Sequence, residues 1–322
     1  MTLKDTLALF EGEKTVAICG HVNPDGDALG SALALAALLR AKGCAVTCLL
    51  AQDRLAPMLY RFLDNYEFTP ALHYTATPDL FIAVDAPSAS RIGDSVAVME
   101  RSHDTLVIDH HPDYLHYANH YLGDTASPAT GLLVWQLIEA SGVTPTRAMA
   151  AYCYVALMTD TGRFAFQNTT VEAFRAAARM IDCGVDPAQM STNVYENKSF
   201  ASMQLESRLI DRMRFCRDGR VVYSWVDEQD FKDLGVTRDD TESLPNVLRS
   251  IIGVEVAALL REEDNSVRVN LRAKNGCDVG AIARNFGGGG HAAAAGLTID
   301  TTLEHALAKL VPALEGMDCL GS

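Results

Sequence analysis

Carboxylates and imidazoles recur at the ends of apolar runs in this sequence, and that combination of residue types points to metal chemistry. His21, Asn23, Asp25 and Asp27 stand together in HVNPDGD, immediately after TVAIC. Asp85 closes FIAVD, Asp109, His110 and His111 close LVIDHH, and Asp160 stands in ALMTDTG. If the apolar runs are parallel strands, these groups emerge at one rim of the sheet, where five carboxylates and three imidazoles then gather. Without cations such a cluster repels itself and shifts toward protonation. Divalent metals remove the conflict. A mixed oxygen and imidazole set suits Mn²⁺, Fe²⁺, Co²⁺ or Zn²⁺ better than an all-oxygen Mg²⁺ site. The set is too large for one tetrahedral ion but fits two ions sharing a carboxylate. Two metals about 3.5–4 Å apart are the standard device for in-line attack at phosphorus.

Each of these residues also has an ordinary reading. An Asp at a strand end commonly caps a turn or a helix, and Asp27 could merely cap the helix it precedes. A lone His is usually a satisfied surface or core residue, the reading given to His73, His103, His116, His120 and His305. What sets the rim residues apart is coincidence, because four separate segments bring metal-type residues to one edge.

The elements that must position them follow from hydrophobic pattern. TVAIC (15–19), AVTCLL (45–50), DLFIAVD (79–85) and DTLVIDH (104–110) are continuous apolar runs, as expected of strands buried on both faces. Helical patterns span Ala28 to Lys42, with Gly43 as its cap, then Pro128–Ala140, Thr146–Met158 and Val171–Cys183. Strands alternating with helices predict an α/β fold with a doubly wound, mainly parallel sheet. Ligands bind such sheets beyond the carboxyl ends of the strands. Around Ser199–Met213 the alternation gives way to a polar helix that reads as a connector. RVVYSWV (220–226), VEVAALLRE (254–262) and SVRVNLRAK (266–274) then read as strands, and helices are expected at Val279–Phe286 and Leu303–Leu314. This predicts a catalytic domain over 1–190, a connector over 191–215 and a smaller α+β domain over 216–322, across a cleft.

The second domain carries FGGGGHAAAAG at 286–296. Alone, a four-glycine run is a flexible linker. It is short, however, and glycines also let backbone N–H groups approach an anion closely. No Gly-Lys-Ser/Thr follows, so it is not a Walker A loop. Arg272 and Lys274 could supply counter-charge to a phosphate, or simply form a solvated strand face.

The net charge of −14 argues against a protein that coats long nucleic acid, which needs a basic stripe to neutralise phosphates. It leaves room for a small phosphate substrate held by local cations. Eight cysteines without a C-x-x-C pair read as reduced thiols, not as a disulfide framework. The N-terminal segment lacks the parts of a signal peptide, and no stretch reaches the roughly 18 apolar residues that span a bilayer. A cytoplasmic protein without membrane contact is expected.

HVNPDGDALGS, the Asp of FIAVD, VIDHH and the Asp of MTDTG resemble the four motifs of the DHH phosphoesterase superfamily. ESLPNVLRSIIGVEVAALLRE, VRVNLRAK and FGGGGHAAAAG resemble its DHH-associated C-terminal domain, so the resemblance covers nearly the whole chain in order. Within the superfamily the chain is similar to the stand-alone nanoRNase and pAp-phosphatase branch, which includes cyclic-dinucleotide-type phosphodiesterases. The resemblance implies two divalent ions, Mn²⁺ by expectation. One would sit on His21, Asp25 and Asp85, the other on Asp27, Asp85, His110 and Asp160, with Asp85 bridging. It further implies that Asp109 orients an imidazole and that His111 faces the reacting phosphate and protonates the leaving oxygen. Asn23, Arg272, Gly288, Gly289, Gly290 and His291 would bind substrate. The segment after MTDTG reads GRFAF, with Arg163 before the Phe where relatives often carry an arginine past it, so no substrate contact is assigned to this loop.

The implied activity is hydrolysis of di- to pentanucleotides to mononucleotides, or of 3′-phosphoadenosine 5′-phosphate (pAp) to AMP. Cyclic or linear dinucleotides are the alternative substrates, and a homodimer is compatible with the reading. Family inorganic pyrophosphatases carry an Arg-Lys-Lys cluster near the end of the chain, and ALEGMDCLGS has none. A RecJ-like nuclease needs more length and positive charge. A nucleotide-binding module without catalysis does not require the full ligand set.

Overall fold

Alternating strand and helix patterns in the first part of the chain become a six-stranded parallel sheet in the computed structural model, which describes residues 1–52, 68–196, 198–241, 243–274, 276–317 and 319. The chain divides into two compact units, Met1–Glu196 and Asn197–Ser322. The first runs α1 (Leu3–Leu9), β1 (Thr15–Cys19), α2 (Gly26–Ala41), β2 (Ala45–Leu50), β3 (Thr69–Pro70), β4 (Leu80–Val84) and α3 (Val96–Arg101). It continues through β5 (Asp104–Asp109), β6 (His120–Gly123), α4 (Thr130–Ala140), α5 (Arg147–Asp160), α6 (Val171–Asp182) and α7 (Pro187–Tyr195). Strand order is β3-β2-β1-β4-β5-β6, and all the ladders are parallel. The doubly wound sheet expected from the apolar runs is therefore present.

Both faces of that sheet are covered, which is why its central strands read as unbroken apolar runs. Ile18, Ile82 and Ile108 share one core with Leu33 of α2, Trp135 of α4 and Val155 of α5. Ala17, Phe81 and Val107 share another with Ile92 and Val98. A Cβ on Gly30 would lie 2.4 Å from the Tyr152 carbonyl, so a glycine is what lets α2 approach α5 this closely. Helix α2 starts at Gly26, two residues before the expected Ala28, because Asp25 is its cap: the carboxylate accepts from the Asp27 and Ala28 amides.

The second unit runs α8 (Phe200–Asp211), β7 (Arg214–Cys216), β8 (Val221–Val226), α9 (Glu228–Leu234), α10 (Leu244–Arg249), β9 (Val256–Glu263) and β10 (Ser266–Ala273). It ends with α11 (Val279–Asn285), β11 (Gly289–His291), β12 (Ala294–Ile299) and α12 (Leu303–Glu315). Its sheet has the order β11-β12-β10-β9-β8-β7, antiparallel except between β8 and β9. Helix α8, read from sequence as part of a connector, buries Leu205 and Leu209 in this unit's core. The glycine run is a hairpin arm: Gly289, Gly290 and His291 pair with Gly296, Ala295 and Ala294. A Cβ on Gly288 would fall 2.3 Å from the Gly296 carbonyl, so close strand approach accounts for that glycine.

One cysteine expectation is corrected. Cys277 and Cys319 form a disulfide, with Cα atoms 5.3 Å apart, while Cys19, Cys44, Cys48, Cys153, Cys183 and Cys216 are thiols. The two partners are 42 residues apart and meet only because the segment after α12 returns to the turn before α11, a proximity that cysteine spacing does not contain. No helix among the described residues is long and apolar enough to cross a membrane.

Candidate metal centre

The strand order places the carboxyl ends of β1, β4 and β5 side by side, and each delivers polar residues as its apolar run stops. His21 follows β1, Asp85 follows β4, and Asp109 to His111 end and follow β5. The sheet reverses its direction of growth between β1 and β4, the point at which ligands bind in doubly wound folds. Asp85 leaves β4 with φ of 56°, and its N–H donates to the Ile108 carbonyl at 3.0 Å. A left-handed conformation costs a non-glycine residue of order 1 kcal/mol, and such strain persists where surrounding contacts enforce it.

The two buried imidazoles are oriented alike. His21 Nδ1 lies 2.8 Å from the Val22 carbonyl and His110 Nδ1 lies 3.1 Å from the Ser127 carbonyl. A carbonyl only accepts, so Nδ1 carries the hydrogen and Nε2 of the neutral ring presents a lone pair, the tautomer of a metal ligand. His21 Nε2 is 3.8 Å from Asp25 Oδ1 and 3.5 Å from Asp85 Oδ2. His110 Nε2 is 3.5 Å from Asp85 Oδ1, 3.5 Å from Asp160 Oδ2 and 3.8 Å from Asp27 Oδ2. The two oxygens of Asp85 thus face two different sets of side chains.

Asp27 is 1% exposed, and its surroundings replace lost water. The amides of Thr130 and Gly131, the first turn of α4, donate to its two oxygens at 2.7 and 2.8 Å, and the Ser31 hydroxyl adds a third bond at 3.0 Å. The ordinary reading of Asp27 as a helix cap fails, because Asp25 fills that position. Thr130 also donates its hydroxyl to Asp85 Oδ1 at 3.1 Å. His111 Nδ1 donates to Asp109 Oδ1 at 2.8 Å, and the other Asp109 oxygen is buried without a hydrogen-bond partner among the described residues.

Ligand-type atoms of His21, Asp25 and Asp85 lie within 4.8 Å of one another, as do those of Asp27, His110 and Asp160, and those of Asp85, Asp109 and His111. Burial pushes Asp27 well above the usual carboxylate range, and the charges of Asp85, Asp160 and Asp25 add to it. Burial likewise raises Asp160, reinforced by Asp25 and Asp85. Burial acts to raise Asp85 as well, but His21, His111 and His110 outweigh it and hold the carboxylate far below its usual range. For His21, burial lowers the ring's pKa, yet hydrogen bonds and charges from Asp25 and Asp85 raise it to about 10. His111 rises in the same way to about 9, through Asp109 and Asp85. The upward shifts of Asp27, Asp160, His21 and His111 are the response of a buried, crowded acidic cluster to its own negative charge, a charge that divalent cations would also offset. Buried carboxylates and Nε2 lone pairs around common points, with one orphaned carboxylate oxygen, fit divalent metal ions.

Asn23 lies at the same rim with φ of 51°, its side-chain oxygen accepting from Gln52 at 2.9 Å. His103 and His120 stand beside Asp79 and Asp104, apart from the cluster, and in the second unit His305 bonds Thr302. In the second unit, Arg272 lies on β10 and donates to the Leu271 carbonyl, and Gly288 donates its amide to the Ala283 carbonyl. Sequence reasoning missed Ser31, Ser127, Thr130 and Gly131. Only the helical pattern starting at Pro128 hinted that a helix N-terminus would supply amides here.

Models of the DHH family N-terminal domain and of the DHHA1 domain match residues 15–157 and 218–316. The bifunctional oligoribonuclease and PAP phosphatase NrnA of Thermus thermophilus is 30% identical over 89% of this chain and 85% of its own length. The chain belongs to the DHH family. The Bacillus subtilis protein of the same name is 26% identical over 91% of each chain. The crystal structure of an exopolyphosphatase-related protein from Bacteroides fragilis is 23% identical and shares the DHH fold with a TM-score of 0.90, over 97% of this chain and 95% of that one. Every strand-end group described above falls within the DHH match, and Asp160, at the end of α5, lies three residues past it.

Proposed function

We propose that this protein is a two-metal phosphoesterase that hydrolyses short oligoribonucleotides to mononucleotides and pAp to AMP. The observation that carries the reading is Asp85, whose two oxygens face His21 on one side and His110 on the other at 3.5 Å each. His21, Asp25 and Asp85 hold one ion, and Asp27, Asp85, His110 and Asp160 hold the other, with Mn²⁺ as the metal. Two such ions supply positive charge against the phosphoryl oxygens and lower the pKa of an attacking water. The two relatives described above carry both activities in their names, which supports this choice of substrates.

The chain's own side chains perform the remaining tasks. Nδ1–H of His21 and of His110, tied to carbonyls, holds each ring with Nε2 toward the carboxylates. The α4 amides bond both oxygens of buried Asp27 and fix its direction. Asp109 holds His111 through Nδ1, leaving Nε2 as the atom that gives a proton to the departing oxygen. Arg272, the glycines from 288 to 290 and His291 bind the rest of the substrate.

A substrate panel with Mn²⁺ tests the reading. pAp, a 5′-phosphorylated dinucleotide (pApA), a pentanucleotide, a cyclic dinucleotide and a 24-mer would be compared for rate per end. Two to five nucleotides and pAp should be cut readily and the 24-mer poorly, since a chain of charge −14 repels a long polyanion. Equal rates per end on the dinucleotide and the 24-mer would contradict the assignment and favour a processive nuclease.

A further inference from the structure

The turn that follows Asp160 is strained. Gly162, Arg163 and Phe164 are consecutive left-handed residues, with φ of 55°, 62° and 60°. Two of them carry side chains that disfavour this conformation. The turn is nevertheless pinned on every side. The Arg163 amide donates to the Met158 carbonyl at 2.7 Å, the Phe164 amide to the Thr161 hydroxyl at 3.1 Å, and the Phe166 amide to the Thr161 carbonyl at 2.9 Å. Asn168 ties the Asp160 carbonyl to that of Pro128, at 3.1 Å each. The Phe164 ring packs between Tyr154 and Phe174. Strain held this firmly next to a functional cluster marks a residue that is being aimed.

The aimed residue is Arg163. Its guanidinium lies 4.8 Å from the centre of the Tyr195 ring, and the Tyr195 hydroxyl reaches toward the Met158 carbonyl, two residues before Asp160. Arg163 is exposed, and among the described residues no carboxylate lies within ion-pair distance of it. An arginine kept off neighbouring carboxylates, three residues from Asp160, is poised for an anion that arrives from solution. Because the side chain stands outside the buried carboxylate cluster, it suits a phosphate other than the one held at the metals. The planar fork, already laid on an aromatic face, matches a terminal phosphate in bidentate fashion.

Resting on the phosphoesterase reading above, we propose that Arg163 binds a second phosphate of the substrate, adjacent to the one being cleaved. pAp and pApA both carry such a group, whereas the unphosphorylated dinucleotide ApA does not. Arg163 is then a specificity-determining residue that favours substrates with a terminal phosphate.

The ratio of kcat/KM for pApA to that for ApA, with Mn²⁺, measures this directly. In Arg163→Gln the ratio should fall about ten- to a hundredfold, mainly through KM, and Arg163→Lys should restore part of it. If the cation–π contact only fastened the end of α7, both substrates would suffer alike. An unchanged ratio, whether or not both rates drop, would overturn the proposal while leaving the phosphoesterase reading standing. Wild-type protein that cleaves neither dinucleotide would overturn both.

Discussion

Two amides of α4 and one hydroxyl surround Asp27 where water has been excluded, and they fix its oxygens in place, which shows how the centre is assembled residue by residue. Four of the candidate ligands have their own holders: a carbonyl behind His21, another behind His110, a helix N-terminus behind Asp27, a strained backbone under Asp85. The residues proposed to bind substrate should separate from these in experiment. Arg272→Ala and His291→Ala should each lower kcat/KM for pAp or a dinucleotide about ten- to a hundredfold relative to bis-p-nitrophenyl phosphate. A charge-assisted phosphate contact contributes roughly 1.5–3 kcal/mol, and the activated ester has little for these residues to grip. Equal loss on both kinds of substrate would put the two residues in the catalytic centre itself. At this scale the candidate ligands were legible in the sequence, because each ends an apolar run. Their holders were not, since a backbone carbonyl at 127 or an amide at 130 has no signature in residue type.

Elements divide the same way. The long strands β1, β4 and β5 and the helices α4, α5 and α6 could be read from apolar runs and helical spacing, and they suffice to bring the rim groups together. Short pieces such as β3, β6, β11 and α7 escaped, since two to nine residues hold too little periodicity. The contact between α8 and α9 escaped as well, though it is a strong one. Asp230, buried on α9, accepts from Arg208 of α8 and from Arg212 just past its end. Burial acts to raise its pKa, and the two guanidiniums outweigh that and hold it below the ordinary 3.8. The folded state therefore keeps this charge to lower pH than the unfolded chain does. The resulting stability is fully present above pH about 4 and is lost as pH falls through the depressed folded value. Asp230→Asn should cost about 2 kcal/mol in urea melts at pH 7, and the gap to wild type should narrow by pH 3. A gap independent of pH would show that the ion pairs contribute little.

For the whole molecule, the rim carboxylates account for part of the net charge of −14, and that overall charge is unsuited to gripping a long polyanion. The disulfide between Cys277 and Cys319 is the one feature of chain-wide connectivity that composition argued against. The central claim is that Asp85 joins two metal ions whose presence makes the chain a phosphoesterase. It is tested most directly by counting Mn²⁺ per chain by elemental analysis, and measuring pApA turnover on the same samples, for wild type and Asp85→Asn. Two ions per wild-type chain are predicted, with loss of at least one ion and a fall in turnover by orders of magnitude in the variant, while circular dichroism stays unchanged. A folded Asp85→Asn protein that keeps two ions and near-normal turnover would contradict the account.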